Sequence, residues 1–280
     1  MKQEIKQHPV LGRVLYLSDG RTELAVTLDC GIRIVRLCLV GKENLFYEQP
    51  SDLSDGLTTP EGWRIYGGHR LWMAPESDLT YSPDNAPVTC TSVPNGICMV
   101  QAVDAWTGLQ KSVEVRYEPD GAIRVIHAMK NCGDAPIRAA AWGVSSMAPG
   151  GQAIVPLPRH DGKCISNPHR SFCLWNTTTL GDPRLTFELE RLILRQDANV
   201  SDYFKLGLYS DEGRVEYRNF GQSFTITFSP HAQEEYTDMG SNLELFANTR
   251  VQEIETLGVY KELSPGETTT HTEFWRVDTV

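Results

Sequence analysis

The chain has 280 residues, of which 40% are apolar, so it can bury a substantial core without disulfides or metals. Its formal net charge is −10, with no run of Lys and Arg, and this excludes the basic face that a nucleic-acid partner requires. No stretch reaches the ~18 apolar residues of a membrane span, and the N-terminus lacks the apolar core of a signal peptide. The seven cysteines form no CxxC pair. We therefore expect a cytoplasmic protein with reduced thiols and with neither nucleic acid nor a membrane as partner.

Short runs rich in Val, Ile, Tyr, Phe and Thr follow one another along the chain, separated by turn clusters such as SDG and EPDG. In KSVEVRYE, Val113, Val115 and Tyr117 alternate with polar residues, as in a half-buried strand. Strands spaced in this way over such a length are typical of sandwiches and barrels. We predict an all-β fold, a single large and mostly antiparallel β-sandwich domain over residues 1–280.

The segment YGGHRLWMAPES, which begins at Tyr66, concentrates groups that can bind or react. His69 can titrate near neutral pH, and Arg70 can donate to hydroxyls or carboxylates. Trp72 offers a flat apolar face that suits the C–H face of a sugar ring, and Glu76 adds an acceptor. The alternative is a surface turn with a satisfied histidine and a core tryptophan.

Further candidates follow in the second half of the chain. Trp142, among the small residues of AAAWGVSSMAPGG, is either a binding platform or a core residue. Lys205 in FKLGLY and Tyr217 either face a pocket or are, respectively, a solvent-reaching lysine and a core tyrosine. The segment DPRLTFELERLILRQD fits a helix as well as a strand. The final TTTHTEFWRV follows a turn at SPGE and should close a sheet edge.

Acidic residues late in the chain are candidates for acid/base chemistry. In VQEIETLGVY, a strand places Glu253 and Glu255 on one face, where paired carboxylates can act as acid and base. The alternative is a solvated strand face. Glu244 in SNLELF is unusual because it interrupts an apolar strand.

Other site classes lack support in the sequence. The seven histidines form no HxH or HxxxH pair, and His160, Asp161 and His169 fit no common zinc spacing. There is no GxSxG, no GxGxxG and no GxxxxGK[ST]. We therefore expect neither a metal nor another cofactor.

The order of three segments is familiar: GGHRLW, then HAMKNCGDAPIRAAAWG, then LELFAN followed by IETLGVYKELSPGETTTHTEFW. In this order the chain resembles the galactose mutarotase-like (aldose 1-epimerase-like) superfamily, and within it a group of bacterial proteins with a GGHRLW segment. The resemblance spans nearly the whole chain. It implies a β-supersandwich whose concave face binds a small-molecule carbohydrate.

The resemblance also implies roles for individual residues. A late-strand glutamate acts as general base on the anomeric hydroxyl in this superfamily, and Glu255 matches it best. The usual acid is a histidine in a segment where this chain has AAAWGVSS, so Trp142 or a neighbour stands in its place. His69 is the substitute acid on this interpretation, because the Gly-Gly segment borders the sugar site in relatives. Arg70 and Trp72 are then substrate binders.

Three hypotheses follow for the function. The chain interconverts anomers or epimers of an aldose or sugar derivative, or it is an inactive carbohydrate-binding module using the same pocket. The retained Glu255 favours the enzyme, and the missing family histidine favours the module. The third hypothesis, a structural domain without a ligand, is disfavoured by the polar and aromatic segment that contains His69.

Overall fold

Strands make up nearly all of the regular structure. The computed structural model describes residues 1–49, 63–158 and 170–280. Its strands are β1 (Lys2–His8), β2 (Gly12–Ser18), β3 (Thr22–Thr27), β4 (Ile34–Leu39), β5 (Gly68–Ala74), β6 (Thr89–Val93), β7 (Gly96–Val100), β8 (Leu109–Tyr117), β9 (Ile123–Asn131), β10 (Ile137–Met147), β11 (Gln152–Pro156), β12 (Phe172–Leu174), β13 (Leu185–Phe187), β14 (Arg191–Arg195), β15 (Phe204–Leu208), β16 (Arg214–Asn219), β17 (Gln222–Phe228), β18 (Leu243–Ala247), β19 (Gln252–Leu257), β20 (Lys261–Leu263) and β21 (Thr268–Thr279). The helical pieces are a 3₁₀ turn (Asp78–Tyr81) and one short turn (Thr237–Gly240). None of the helices in these ranges is long and apolar enough to cross a bilayer.

The strands form two antiparallel sheets. The larger has the order β1-β2-β3-β4-β5-β10-β19-β18-β15-β12, with β20 also paired to β10. The smaller has the order β13-β14-β11-β16-β17-β21-β9-β8-β7-β6. This arrangement confirms the predicted all-β sandwich.

The core lies between the sheets because alternate residues of each strand face inward. In β8, the predicted alternation of Val113, Val115 and Tyr117 is confirmed by their burial. They belong to the same apolar cluster as Leu71 of β5 and Ile254 of β19, on the facing sheet. One face of each sheet therefore packs into the core, and the opposite face of the larger sheet is free to form a site.

The structure decides the expectations for two segments of the C-terminal half. DPRLTFELERLILRQD forms the β13–β14 hairpin, so the strand alternative is the correct one. TTTHTEFWRV does not close a sheet edge, because β21 pairs with β17 on one side and β9 on the other. The SPGE turn is confirmed, since the amide of Glu267 donates to the carbonyl of Ser264 at 2.9 Å.

The adjacent glycines of the GGHRLW segment serve the close approach of neighbouring backbones. Both have positive φ, +89° at Gly67 and +75° at Gly68. A Cβ on Gly67 would lie 2.0 Å from the carbonyl oxygen of Tyr47, and one on Gly68 2.4 Å from that of Ile34. Glycine is therefore required here by the chain itself, independently of any ligand.

Candidate functional site

The outward face of the larger sheet carries a cluster of aromatic and charged side chains. It is built by β5, β10, β19, β18 and β15, which are successive neighbours in the sheet. The register places Trp142 opposite Trp72, and Glu244 opposite Glu255. Directly paired residues of antiparallel strands project to the same side, so these four side chains share one face.

A cavity of about 250 Å³ opens on this face. Five of the seven predicted site residues line it: Trp72, Glu76, Trp142, Lys205 and Glu255. The other lining residues are Tyr47, Gln49, Trp63, Ile65, Tyr81, Val144, Tyr203, Phe246, Asn248, Arg250, Val251 and Glu253. A concave apolar wall with a few convergent polar groups is the usual form of a small-molecule site.

Lys205 organises the floor of the cavity. Its Nζ lies 2.9 Å from Oε2 of Glu255 and 2.9 Å from Oε2 of Glu244. Its ammonium also lies over the rings of Trp142 and Trp175, 4.7 and 4.9 Å from their centroids. Burial opposes the charge on Lys205, but the two carboxylates raise its pKa above the usual range. The predicted candidate Lys205 therefore faces the cavity as a paired cation.

The two carboxylates beside Lys205 differ in their environments. Oε2 of Glu255 accepts hydrogen bonds from Nζ of Lys205 and, at 3.0 Å, from Nε1 of Trp142. The oxygens of Glu244 lack an aligned hydrogen-bond donor among the described residues, although Lys205 is near. Burial, reinforced by the charge of Glu255, raises the pKa of Glu244 to about 9. At neutral pH Glu244 is therefore protonated, and Glu255 is the carboxyl that accepts the hydrogen bond of Lys205.

Glu253 is a second cavity carboxyl on the same strand as Glu255. Both project from the outward face of β19, as the two-residue spacing predicts, while Ile254 between them enters the core. Ser146 donates to Oε1 of Glu253 at 2.7 Å. Burial, reinforced by the charge of Glu255, raises the pKa of Glu253 to about 7. Two of the carboxyls that line the cavity are therefore close neighbours on β19, and Glu253 is still partly protonated near neutral pH.

One wall of the cavity is a cluster of aromatic rings. The ring of Trp72 lies 5.4 Å from that of Trp142 and 5.6 Å from that of Tyr81, measured between centroids. Trp63 extends the cluster at 5.8 Å from Trp72. At its edge, the hydroxyl of Tyr81 donates to Glu76. The wall combines flat apolar faces with a polar edge, as the C–H faces and hydroxyls of a sugar require.

Arg70 projects to the same side of the sheet as Trp72 but does not line the cavity. Its guanidinium lies against the rings of Trp63 and Trp72, 5.3 and 4.8 Å from their centroids. It donates to Asp84 at 2.5 Å and is almost fully buried. Burial lowers the pKa of Arg70 to about 10, against the opposing effect of Asp84. Arg70 thus supports the aromatic wall from behind, which corrects the expectation of direct substrate contact.

His69 projects to the opposite face, into the core. GGHRLWMA forms a central strand, so neighbouring residues alternate between the two faces. Its Nδ1 lies 2.8 Å from Oγ of Ser145, and its Nε2 lies 2.7 Å from Nε2 of His127. Burial lowers the pKa of His69 well below its usual range, and His127 adds to the effect. The placement corrects the expectation that His69 borders the cavity.

The buried residues around His69 form the candidate metal cluster of the described chain. Ligand atoms of His69, His127 and Glu273 lie within 4.8 Å of one another. Nδ1 of His127 lies 3.1 Å from the carbonyl oxygen of His271, and Trp275 donates to Glu273 at 2.5 Å. With His127 protonated on Nδ1, the 2.7 Å contact is a hydrogen bond from His69 to Nε2 of His127. This pairing accounts for the convergence of the two rings.

Other candidates resolve individually. Tyr217 is a core residue whose hydroxyl donates to the carbonyl of Ala148. Tyr203 and Phe246 line the cavity but are absent from the sequence-based site. Tyr203 lies two residues before Lys205, and Phe246 lies two residues after Glu244. The two-residue repeat of a strand therefore indicates both positions. His160, Asp161 and His169 lie outside the described residues.

No protein-family model matches the chain, and no curated protein sequence does. Solved structures do match in fold. A galactose mutarotase-like protein from Lactobacillus casei superposes with a TM-score of 0.62 at 11% identity, covering 95% of this chain and 100% of that one. A galactose mutarotase related enzyme from Lactobacillus acidophilus gives 0.54 at 10% identity, covering 94% and 97%.

A third match is to a longer protein. The TPR-domain containing protein from Parabacteroides distasonis has a TM-score of 0.63 at 13% identity, and the match covers 95% of this chain but 47% of that one. This chain therefore spans about half the length of that relative. The sheet order and these superpositions agree with the fold that the resemblance implied: the chain has the galactose mutarotase-like fold.

Proposed function

We propose that the chain interconverts the anomers or epimers of an aldose or sugar derivative by general acid/base chemistry. The observation that carries the proposal is the pair Glu253 and Glu255, which share one face of β19 in a cavity walled by tryptophans. Two carboxyls on one face, one of them with a raised pKa, are what an acid/base pair requires. The names of the fold relatives, mutarotase-like in both full-length matches, support the same reaction class.

The proposed reaction is the opening and closing of a cyclic hemiacetal. Glu255 takes the proton of the anomeric hydroxyl, and the bond between C1 and the ring oxygen breaks with its electron pair going to the ring oxygen. Glu253 gives its proton to that oxygen. Rotation of the aldehyde and the reverse transfers close the ring as the other anomer, which returns both carboxyls to their starting states.

The remaining cavity residues bind and orient the sugar in this proposal. Trp72 and Trp142 contact the C–H faces of the ring, and Glu76 accepts from hydroxyls at the rim. Lys205 fixes the orientation of Glu255 through the 2.9 Å contact. A cytoplasmic location is part of the proposal, and it is supported by the free thiols of all six cysteines in the described part of the chain.

The second candidate function is a binding module that uses the same cavity. It is favoured by one observation: the described lining of the cavity contains no histidine. On this alternative, the aromatic wall and the carboxyls hold a sugar without transferring protons.

The experiment compares anomer exchange and binding in the same samples. Exchange of freshly dissolved α-sugars is followed by NMR across a panel of aldoses, and affinity is measured by calorimetry. We expect catalysis by the wild type and a loss of about 10²–10⁴-fold in kcat/KM for Glu255→Gln, with sugar binding retained. Glu212→Gln, an exposed substitution of the same kind, should leave both unchanged. Binding by the wild type without exchange above buffer would establish the binding module instead.

A further inference from the structure

A second cavity lies at one end of the sandwich, between the segments 82–87 and 101–106 and the start of β8. Its volume is about 340 Å³. Its outer lip includes Val103 and Trp106, both of which are about half exposed. Asp84 and Lys111 line its inner wall. None of these lining residues belongs to the carbohydrate cavity.

Behind this cavity lies a buried cluster in which cations outnumber anions. Asp84 receives Nη2 of Arg33 at 2.7 Å on one oxygen and Nη2 of Arg70 at 2.5 Å on the other. Both guanidinium groups are almost fully buried, and the Nε donor of each lacks a partner among the described residues. The two arginines hold the pKa of Asp84 below its usual range against the effect of burial. Both oxygens of Asp84 are therefore already paired with arginines, and neither is left for Lys111.

Lys111 adds a third buried cation without a partner of its own. It projects from β8 between Leu109 and Val113, on the face that forms the core, and is 7% exposed. Throughout residues 1–49, 63–158 and 170–280, its ammonium has neither an ion pair nor a hydrogen bond. A buried charge is costly unless it is paired, so an unpaired ammonium beside a cavity favours the binding of an anion there. Burial lowers the pKa of Lys111, with Asp84 opposing and Arg70 adding to the shift.

We propose that this cavity binds a small oxyanion, a phosphate or carboxylate group, with Lys111 as its charged ligand. The local balance supports an anion: Arg33, Arg70 and Lys111 face Asp84, which leaves an excess of two positive charges. Asp104 at the lip also acts on Lys111 and reduces this excess to one; its Oδ1 is held by the amides of Trp106 and Thr107 at 2.8 and 2.9 Å. The apolar lip accommodates a short apolar body attached to the anionic group.

The test titrates inorganic phosphate and butyrate into the full chain at constant ionic strength, using calorimetry and chloride as the reference. We expect saturable binding of at least one of the two anions, and the stronger binder identifies the anionic group. Lys111→Met should weaken that binding at least tenfold. Lys130→Met, an exposed lysine on the paired strand β9, is the matched control and should bind as the wild type does. Equal affinity in Lys111→Met and wild type, or no saturable binding of either anion, overturns the proposal.

Two further measurements keep the result specific. Trp106 lies at the lip of the cavity, so its fluorescence should change when the anion binds to the wild type, and this change should disappear in Trp106→Phe. Because Trp106 is exposed, this measurement does not depend on whether Lys111→Met folds. Lys205→Met should leave anion binding unchanged, because Lys205 lines the other cavity. Loss of anion binding in Lys205→Met would place the anion in that cavity and overturn the proposal.

Discussion

The protonation of Glu253 is the property on which the proposed chemistry depends most directly. Its pKa is raised to about 7 by burial and by the charge of Glu255 two residues away. As the proton donor, Glu253 must be protonated when ring opening begins. Because the two carboxyls interact, a titration of activity near pH 7 belongs to the pair, and substitution of Glu253 tests its share in it.

We expect kcat/KM to fall as the pH rises through about 7. Glu253→Gln should lower kcat/KM by about 10²–10⁴-fold and remove this alkaline limb, since the amide does not titrate. The profile is measured by NMR exchange between pH 5 and 9, with Glu212→Gln as the control that should keep the wild-type limb. An unchanged limb in Glu253→Gln would assign the titration to a different group.

The residue scale also shows what the sequence can and cannot reveal. The same-face arrangement of Glu253 and Glu255 follows from strand geometry alone, and it was predicted. The contact between Lys205 and Glu255 joins strands 50 residues apart, and only the strand order brings them together. Trp63 lies in a segment without periodicity ahead of β5, so no local pattern could place it at the cavity.

At the scale of elements, the alternation of side chains along β5 decides which residues of the GGHRLW segment reach the cavity. As a rim loop it would present His69 and Arg70 together, but β5 is a central strand that sends them to opposite faces. The two glycines made the segment resemble a loop, whereas they permit neighbouring backbones to approach. The face on which each side chain lies cannot be assigned until the segment is known to be a strand. This is why the position of His69 was not predictable from the sequence.

The strand β10 separates the two polar clusters at a single glycine. Gly143 follows Trp142, which lines the cavity with Glu255, and it faces the buried histidine cluster. A Cβ at this position would lie 2.7 Å from Oε1 of Glu273 and 3.3 Å from both Cε1 of His69 and Oγ1 of Thr256. All three neighbours are buried, so the cluster has little room to move away.

Gly143→Ala should therefore lower the free energy of unfolding by about 1–3 kcal/mol through overpacking. The matched control is Gly181→Ala, where the nearest atom to the new Cβ is 3.7 Å away, and its effect should stay within about 0.5 kcal/mol. Urea unfolding of both variants provides the comparison. Equal stabilities would show that the cluster accommodates a methyl group.

For the whole molecule, two sets of buried groups oppose each other in the dependence of stability on pH. Burial lowers the pKa values of His69, His127 and His271, the last to about 3, so below about 6.5 the unfolded chain binds protons that the folded chain does not. The histidines therefore stabilise the folded chain above pH 6.5, and that contribution is lost as the pH falls. The raised pKa values of Glu244 and Glu253 act in the other direction.

The two glutamates place a limit on stability at alkaline pH. With folded pKa values of about 9 and about 7, Glu244 and Glu253 keep protons that the unfolded chain releases above about 4.5. Their contribution to stability is complete at low pH and is lost as the pH rises through those values. Together with the histidines, this predicts maximal stability near pH 6.5–7, with a decline on both sides.

The alkaline decline is assigned by substitution. Each proton retained only by the folded chain lowers the free energy of unfolding by about 1.4 kcal/mol per pH unit of increase within its window. Glu244→Gln should remove most of the decline between pH 7 and 9, because the amide carries no charge that has to be buried. Urea unfolding at half-unit intervals from pH 4 to 9.5 measures both limbs, with Glu212→Gln expected to follow the wild type. Wild-type stability that keeps rising from pH 7 to 9 would mean that charged Glu244 is buried without cost and that Lys205 neutralises both Glu244 and Glu255 at once.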